Sequence, residues 1–565
     1  MSRTITPTGS DARWSRRRAV GLLASSGVVA LLAACGSNGN AATSVSVTLE
    51  SGSTAGSTSA VPKTAAATGA TTTSVRSTSA ANTSATGSQS TAAPAANVIK
   101  IQTTGATLPT EKVNFHWIDS GDQKAVFFKA FFAAYQAAHP NITVKYDPLP
   151  WNEIAKIIPL GIQNGDAPDV YQLPPAVPHA QAIAQGWVAP LDDIIPNFAQ
   201  WKAAFPPGSF VTGITDFNGK TYTIPLTTNQ RYGTMLLYNI DLLQKAGYDP
   251  ASKPLTWDEF RAAAKKITAQ GGGKVFGLLL EGNQTDRLAA WVGGLAEMAS
   301  GQGNTMNWKT GQYNYSSDAW LAALDLLLAM KSDGSIYPGS LQLNAPQARA
   351  QMPEGIVGML LQGPWNIPGW EQQNPTFKFG VAGQPVPNQG QPFPMGYGPG
   401  GSNQLWVYAK SPNKAVAADI LYQLGTLPMQ ISWADLDGAA DPPIFPAAAK
   451  ASTLDALSKR SAAIFKDMVL TPSPEARNPD VSKALLEQHH VTPDAGQTIQ
   501  GIYTGQLANP KQAMTDLQNL MEAELNRAIK VAQGKGAKMM RDDWKFANWD
   551  PRKDYTDADY KALQG

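Results

Sequence analysis

Cysteine is almost missing. Cys35 is the only one in 565 residues, so no disulfide can form within the chain, and stability has to come from a large apolar core. Histidine is nearly as scarce. His116, His139, His179, His489 and His490 are all there are, and their spacing matches no metal-ligand pattern; His489-His490 reads as a solvated turn. Charged residues make up only 16% and the formal net charge is +2. With no basic stripe in the body of the chain, a nucleic-acid partner is excluded. No apolar run reaches the roughly 20 residues that a spanning helix needs. No repeat of fixed period and no Gly-x-Ser-x-Gly nucleophile elbow occur.

What is present begins with an export signal. Arg16-Arg17-Arg18 leads into an apolar run, Ala19 to Ala34, that closes on Leu32-Ala33-Ala34-Cys35. A charged start, a short apolar centre and small residues at the cut mark residues 1–34 as a signal peptide. Its end resembles a bacterial lipobox, which implies that the Cys35 thiol takes a diacylglycerol. Ser15-Arg16-Arg17-Arg18 is similar to a twin-arginine export signal, with Ala19 where that pattern has a bulky residue; an ordinary secretory signal is the alternative. From Gly36 to about Gly105 the chain is almost entirely Ser, Thr, Ala and Gly. It cannot bury enough apolar surface to offset its ordering entropy, so residues 35–106 read as a lipidated cysteine plus a flexible tether.

Folding is expected from near Glu111. Val113 to Trp117 alternates as a strand, and Phe128, Phe131, Phe132 and Tyr135 share one helical face. That helix stops at His139-Pro140. Ile142, Val144 and Tyr146 make a second strand, Trp151 opens a helix ended by Asn164-Gly165, and Asp169-Val170-Tyr171-Gln172 is a third strand. This alternation predicts an α/β fold with a parallel sheet. Thr256-Trp257-Asp258-Glu259 is a capping box, and Asn509-Pro510 opens a late helix. Residues 551–565 read as a surface tail, following a segment held down by Trp544 and Trp549.

Several segments, in order, carry a family likeness. They are Asn164 to Val170, Gly186 to Asp193, Asn218 to Pro225, Tyr238 to Gly247 with Thr256 to Phe260, Gly358-Met359 with Gly363-Pro364-Trp365, and Ser411 to Lys414. Together, over more than 400 residues, they resemble the extracellular solute-binding proteins of bacterial ABC importers, in the group that takes sugars and oligosaccharides. Met352 to Val357 departs from the family's usual sequence before the Gly-Pro-Trp element. The resemblance implies an α/β, two-lobe periplasmic-binding-protein fold of the maltose-binding (type II) kind, each lobe a mostly parallel sheet flanked by helices. Lobe 1 would be 107–228 and 402–438; lobe 2 would be 229–401 and 439–550.

The resemblance also implies a binding function rather than an enzyme, without cofactor. The ligand would sit between hinged lobes, and the partners would be a small carbohydrate, the permease subunits and, through Cys35, the outer side of the cytoplasmic membrane. The protein would act as a monomer. Sugars need hydrogen-bonding groups for their hydroxyls and aromatic rings for their C–H faces. The residues so implied are Trp117, Asp119, Asp122, Trp151, Asn229, Arg231, Tyr232, Asp286, Arg287 and Trp365. Asp119 or Ser120 could instead cap the following helix, and Trp257 and Trp291 read as packing. Arg231 and Arg287 also suit an anionic ligand such as a sugar phosphate or glycerophosphodiester. A binder feeding a sensor is a further alternative, as is a glycoside hydrolase, which would need two carboxylates flanking the bond.

Overall fold

The structure is a computed structural model that describes residues 99–121, 123–438 and 440–563. The export signal, Cys35, most of the tether and Asp122 lie outside the described residues. Among the described residues, no helix is long and apolar enough to cross a membrane.

The first lobe grows from the strand Val113–Asp119 and the helix Lys124–Ala138. Phe127, Phe128, Phe131, Phe132 and Tyr135 are buried on one side of that helix. Spaced by three and four residues, they form a single face. Val113, Phe115 and Trp117 meet them from the strand, and Trp117 lies 5.1 Å from Phe128 and 5.4 Å from Phe132, ring to ring. The sheet order is Ile142–Pro148, Val113–Asp119, Val170–Tyr171, Leu405–Val407, Thr223–Ile224. The second lobe's sheet runs Phe379–Ala382, Met235–Asn239, Val357–Gln362, Phe276–Leu279. Its helices Trp257–Gln270, Thr285–Ser300 and Asp318–Ser332 bury Phe260, Trp291 and Trp320 in one core.

Within this two-lobe architecture each sheet is mixed rather than mostly parallel. Leu405–Val407 is antiparallel to both neighbours, and so is Met235–Asn239. These strands adjoin the segments that pass between lobes. Parallel neighbours need a crossover connection within one sheet, and a chain changing sheets makes none there. The limits of the lobes also differ from those expected. Ile99 and Ile101 already pack on the first-lobe core, and Gln102 N donates to Gln423 Oε1 at 3.0 Å. Ile444, Phe445 and Ala448 belong to that same core, so the last return to the second lobe comes after 448 rather than at 439. The end of the chain is pinned by rings: Phe546, Trp549 and Tyr555 are buried, and Tyr555 N donates to Leu470 O at 2.9 Å.

Three segments cross between lobes, at 225–234, 383–404 and 440–455. They run side by side at Thr227, which bridges both Ser402 and Pro443. Thr227 N donates to Ser402 O at 3.2 Å, Ser402 N to Thr227 O at 2.7 Å, and Thr228 N to Pro442 O at 3.0 Å. Side chains add to this small ribbon: Asn403 Nδ2 donates to Thr227 Oγ1 at 3.0 Å, Asn229 Nδ2 donates to Gly398 O at 3.1 Å, and Arg231 pairs with Asp441.

Several of the family-like segments are structural. Asp169 accepts from His116 N at 2.8 Å, from Ser411 Oγ at 2.5 Å and from Asn413 Nδ2 at 3.2 Å. Segments more than 240 residues apart are thus clamped by one carboxylate. Asn218 and Gly219, with φ of 53° and 74°, form the left-handed turn of a hairpin between Asp216–Phe217 and Lys220–Thr221. Thr256 and Glu259 close the capping box as expected. Trp257 is buried and donates to Pro385 O.

Candidate functional site

A cavity of about 590 Å³ opens between the lobes. Its first-lobe wall carries Ser120, Lys124, Trp151, Gln172 and His179; its second-lobe wall carries Asp286, Arg287, Arg349, Gln362 and Trp365. Asn229, Arg231, Asn403 and Asp441, from the crossing segments, form its floor.

Trp365 supplies the aromatic ring of the second wall. It follows the strand Val357–Gln362 in a short 3₁₀ turn, Pro364–Asn366. A Cβ on Gly363 would sit 2.0 Å from the Trp365 ring, so the glycine is what lets the indole fold back on its own main chain. The ring N–H donates to Gln362 Oε1 at 3.0 Å, and Gln362 in turn donates to Glu281. Arg231 and Arg287 lie over the ring, their guanidinium carbons 5.3 and 6.0 Å from its centroid.

These cations are compensated locally. Arg231 pairs with Asp441, whose other oxygen is 3.7 Å from Lys124 Nζ. Arg287 faces Glu281 at 3.5 Å and donates to Gly233 O at 2.8 Å. Burial pulls the Arg231 guanidinium down to about 10, with Asp437 opposing, so it remains charged at neutral pH. Burial raises the carboxyls of Glu281 and Asp437 above the usual carboxylate range. His179 Nδ1–H donates to the carbonyl of Ile214, 2.9 Å away, and burial lowers its pKa, so the ring is neutral at pH 7.

Of the expected residues, Trp151, Asn229, Arg231, Asp286, Arg287 and Trp365 line this cavity. Trp151 stands 40% exposed at the start of its helix. Three others are corrected. Trp117 is fully buried under the helix Lys124–Ala138 and belongs to the first-lobe core. Asp119 is fully buried behind the wall, where it accepts from Trp117 Nε1, Gly121 N and Tyr146 Oη at 3.0, 2.7 and 3.1 Å. It neither faces the cavity nor caps the helix, and burial raises its carboxyl despite Lys124. Tyr232 turns the opposite way from Arg231 and packs near Phe465, 6.0 Å between ring centres. Asp122 is outside the described residues. Trp291 is core, as its sequence context suggested.

Sequence reasoning missed Lys124, Gln172, His179, Arg349, Gln362, Asn403 and Asp441. Only the position of Gln362, just before the Gly-Pro-Trp element, gave a local signal. Among the described residues, no group of three or more Asp, Glu, His or Cys could hold a metal ion.

The family model for bacterial extracellular solute-binding proteins matches residues 120–421. A putative binding protein of Brucella abortus is 26% identical over 300 residues, 52% of this chain and 67% of that protein. The sn-glycerol-3-phosphate-binding periplasmic protein of Agrobacterium fabrum is 31% identical over 114 residues, 19% of this chain and 25% of its own. Among solved structures, the GacH receptor of Streptomyces glaucescens, crystallised unliganded and with acarbose, superimposes with a TM-score of 0.56 at 21% identity. It covers 73% of this chain and 98% of its own. The maltose-bound MalE3 of T. maritima gives 0.56 at 20% identity, covering 73% and 99%.

Proposed function

The chain belongs to the bacterial extracellular solute-binding proteins, the ligand-carrying components of ABC transporters, and from that premise we propose that it captures a neutral sugar or oligosaccharide between its lobes. Delivery is to a membrane permease for import, with the protein held by lipid on Cys35 at the outer side of the cytoplasmic membrane. The observation that carries this reading is the cavity wall around Trp365. A half-exposed indole offers a face for sugar C–H groups, and the charged groups beside it are already matched to partners. A neutral polyol inserts into such a wall without leaving an unpaired charge, and it exchanges bonds with Asn229, Asp286 and Asp441. The sugar complexes of the GacH receptor and MalE3 support the same ligand class.

A second reading has its own support. Lys124, Arg231, Arg287 and Arg349 line the cavity against Asp286 and Asp441, and the Agrobacterium relative is named for sn-glycerol 3-phosphate. A sugar phosphate or glycerophosphodiester would use the cationic excess.

A thermal-shift panel on the chain carrying Cys35→Ser separates the two readings. Neutral mono- and oligosaccharides, polyols, sugar phosphates and glycerophosphodiesters are the arms. A ligand at 100 times its Kd stabilises the fold by about 2.7 kcal/mol, a shift of a few degrees. The expected result is a selective shift with one neutral sugar class. Shifts with phosphorylated compounds alone establish the second reading, and a folded protein indifferent to the whole panel refutes both.

A further inference from the structure

The hinge has a second cavity on its other side, of about 580 Å³. Asn229, Pro399 and Gly401 line both this cavity and the one between the lobes. The new cavity is walled by Pro207 and Ile444 from the first lobe, and by Leu454, Ala463 and Phe465 leading into the second. Its lining contains no carboxylate, but it contains three lysines, Lys450, Lys459 and Lys466, all exposed at the rim. None of the three makes an ion pair among the described residues.

An apolar hollow of this volume falls in the range that takes small organic ligands. Three unmatched ammonium groups on its rim with no acid in the lining fix the complementary charge. We propose that this cavity is a second binding site, for a small soluble amphiphilic anion such as a medium-chain carboxylate. The chain lies along Pro207, Ile444 and Phe465, and the carboxylate is held by Lys459 and Lys466 with Lys450. The two sites share main chain at the hinge, so an occupant here changes the affinity of the cleft, and the cleft ligand changes affinity here by the same factor. The second site exists whichever ligand class the cleft takes.

Titration calorimetry of decanoate into the full chain with Cys35→Ser tests the site. The expected result is saturable one-to-one binding that decylammonium does not reproduce. The double variant Lys459→Glu/Lys466→Glu weakens decanoate by about tenfold or more, one to two charge-assisted contacts. Its fold is checked by its melting curve, and raised salt on the unaltered protein weakens decanoate independently of any substitution. Non-saturable uptake, equal binding of decylammonium, or decanoate affinity indifferent to both salt and charge reversal overturns the proposal.

Discussion

Asp441→Ala destabilises the ligand-free protein by about 3 kcal/mol. Asp441 is buried at the hinge, where it serves Arg231 and Lys124 together. Removing one member of a buried pair strands the other's charge, and such losses run at about 3–5 kcal/mol. The lower end applies because Asp437 remains beside Arg231, with its carboxyl held up by burial. Once Asp441 is gone, that carboxyl ionises more readily and takes over part of the compensation. Replacing both partners by apolar residues, Arg231→Met with Asp441→Leu, recovers the part of the loss that comes from Arg231, while Lys124 is left with Asp437 as its nearby acid. Urea melts of the original protein, Asp441→Ala, Asp441→Leu, Arg231→Met and the double variant check this. A single variant within about 1 kcal/mol of the original, or a double variant worse than either single one, shows that the pair is not what stabilises the hinge.

Glu297→Gln makes the protein more stable at pH 8, and leaves it nearly unchanged at pH 4.5. Glu297 sits on the helix Thr285–Ser300 in the second lobe, accepting from Gly396 N at 3.1 Å. Desolvation pushes its carboxyl up to about 7, against 4.5 for the free side chain, with the bonds from Gly396 and Asn304 opposing. Between those two values the folded chain keeps a proton that the unfolded chain has released. Stability from this group is therefore present at low pH and is lost as pH rises through about 7. A rise of that size corresponds to about 3 kcal/mol. Glutamine keeps the amide oxygen as an acceptor and removes the titration. Paired urea melts at the two pH values give the answer; an equal difference at both would show that Glu297 does not titrate in this range.

The sequence carried the architecture well where local chemistry is decisive. The aromatic face of the helix Lys124–Ala138 and the Thr256 capping box follow from spacing and side-chain type, and the hairpin at Asn218-Gly219 from the family likeness. The errors at the site were errors of side. Val113, Phe115, Trp117 and Asp119 alternate along one strand, so they point to one face. The apolar members of that set already mark it as the core face, and the likeness to sugar binders drew Trp117 and Asp119 away from it. Arg231 and Tyr232 are neighbours in a bent segment before the strand Met235–Asn239, and they turn to opposite sides, Arg231 to the cavity and Tyr232 to the second-lobe core. Trp365 was found because its own motif shapes it: Gly363 leaves room for the ring. Lys124 and Asp441, or Gln362 and Glu281, meet across long stretches of chain. Nothing in the residues around either partner announces such a meeting, which is set by how the two sheets and their crossings pack.

The most direct test of the account is a titration of the sugar that most stabilises the protein, into Trp365→Ala and Trp117→Phe beside the unaltered chain. Trp365→Ala should weaken binding by about 1–3 kcal/mol, the loss of a buried aromatic contact. Trp117→Phe should leave the Kd in place while lowering stability by about 1–2 kcal/mol, through the smaller ring and the lost bond to Asp119. Unchanged affinity in a folded Trp365→Ala protein, or affinity lost only in Trp117→Phe, would place the ligand somewhere other than the cavity between the lobes.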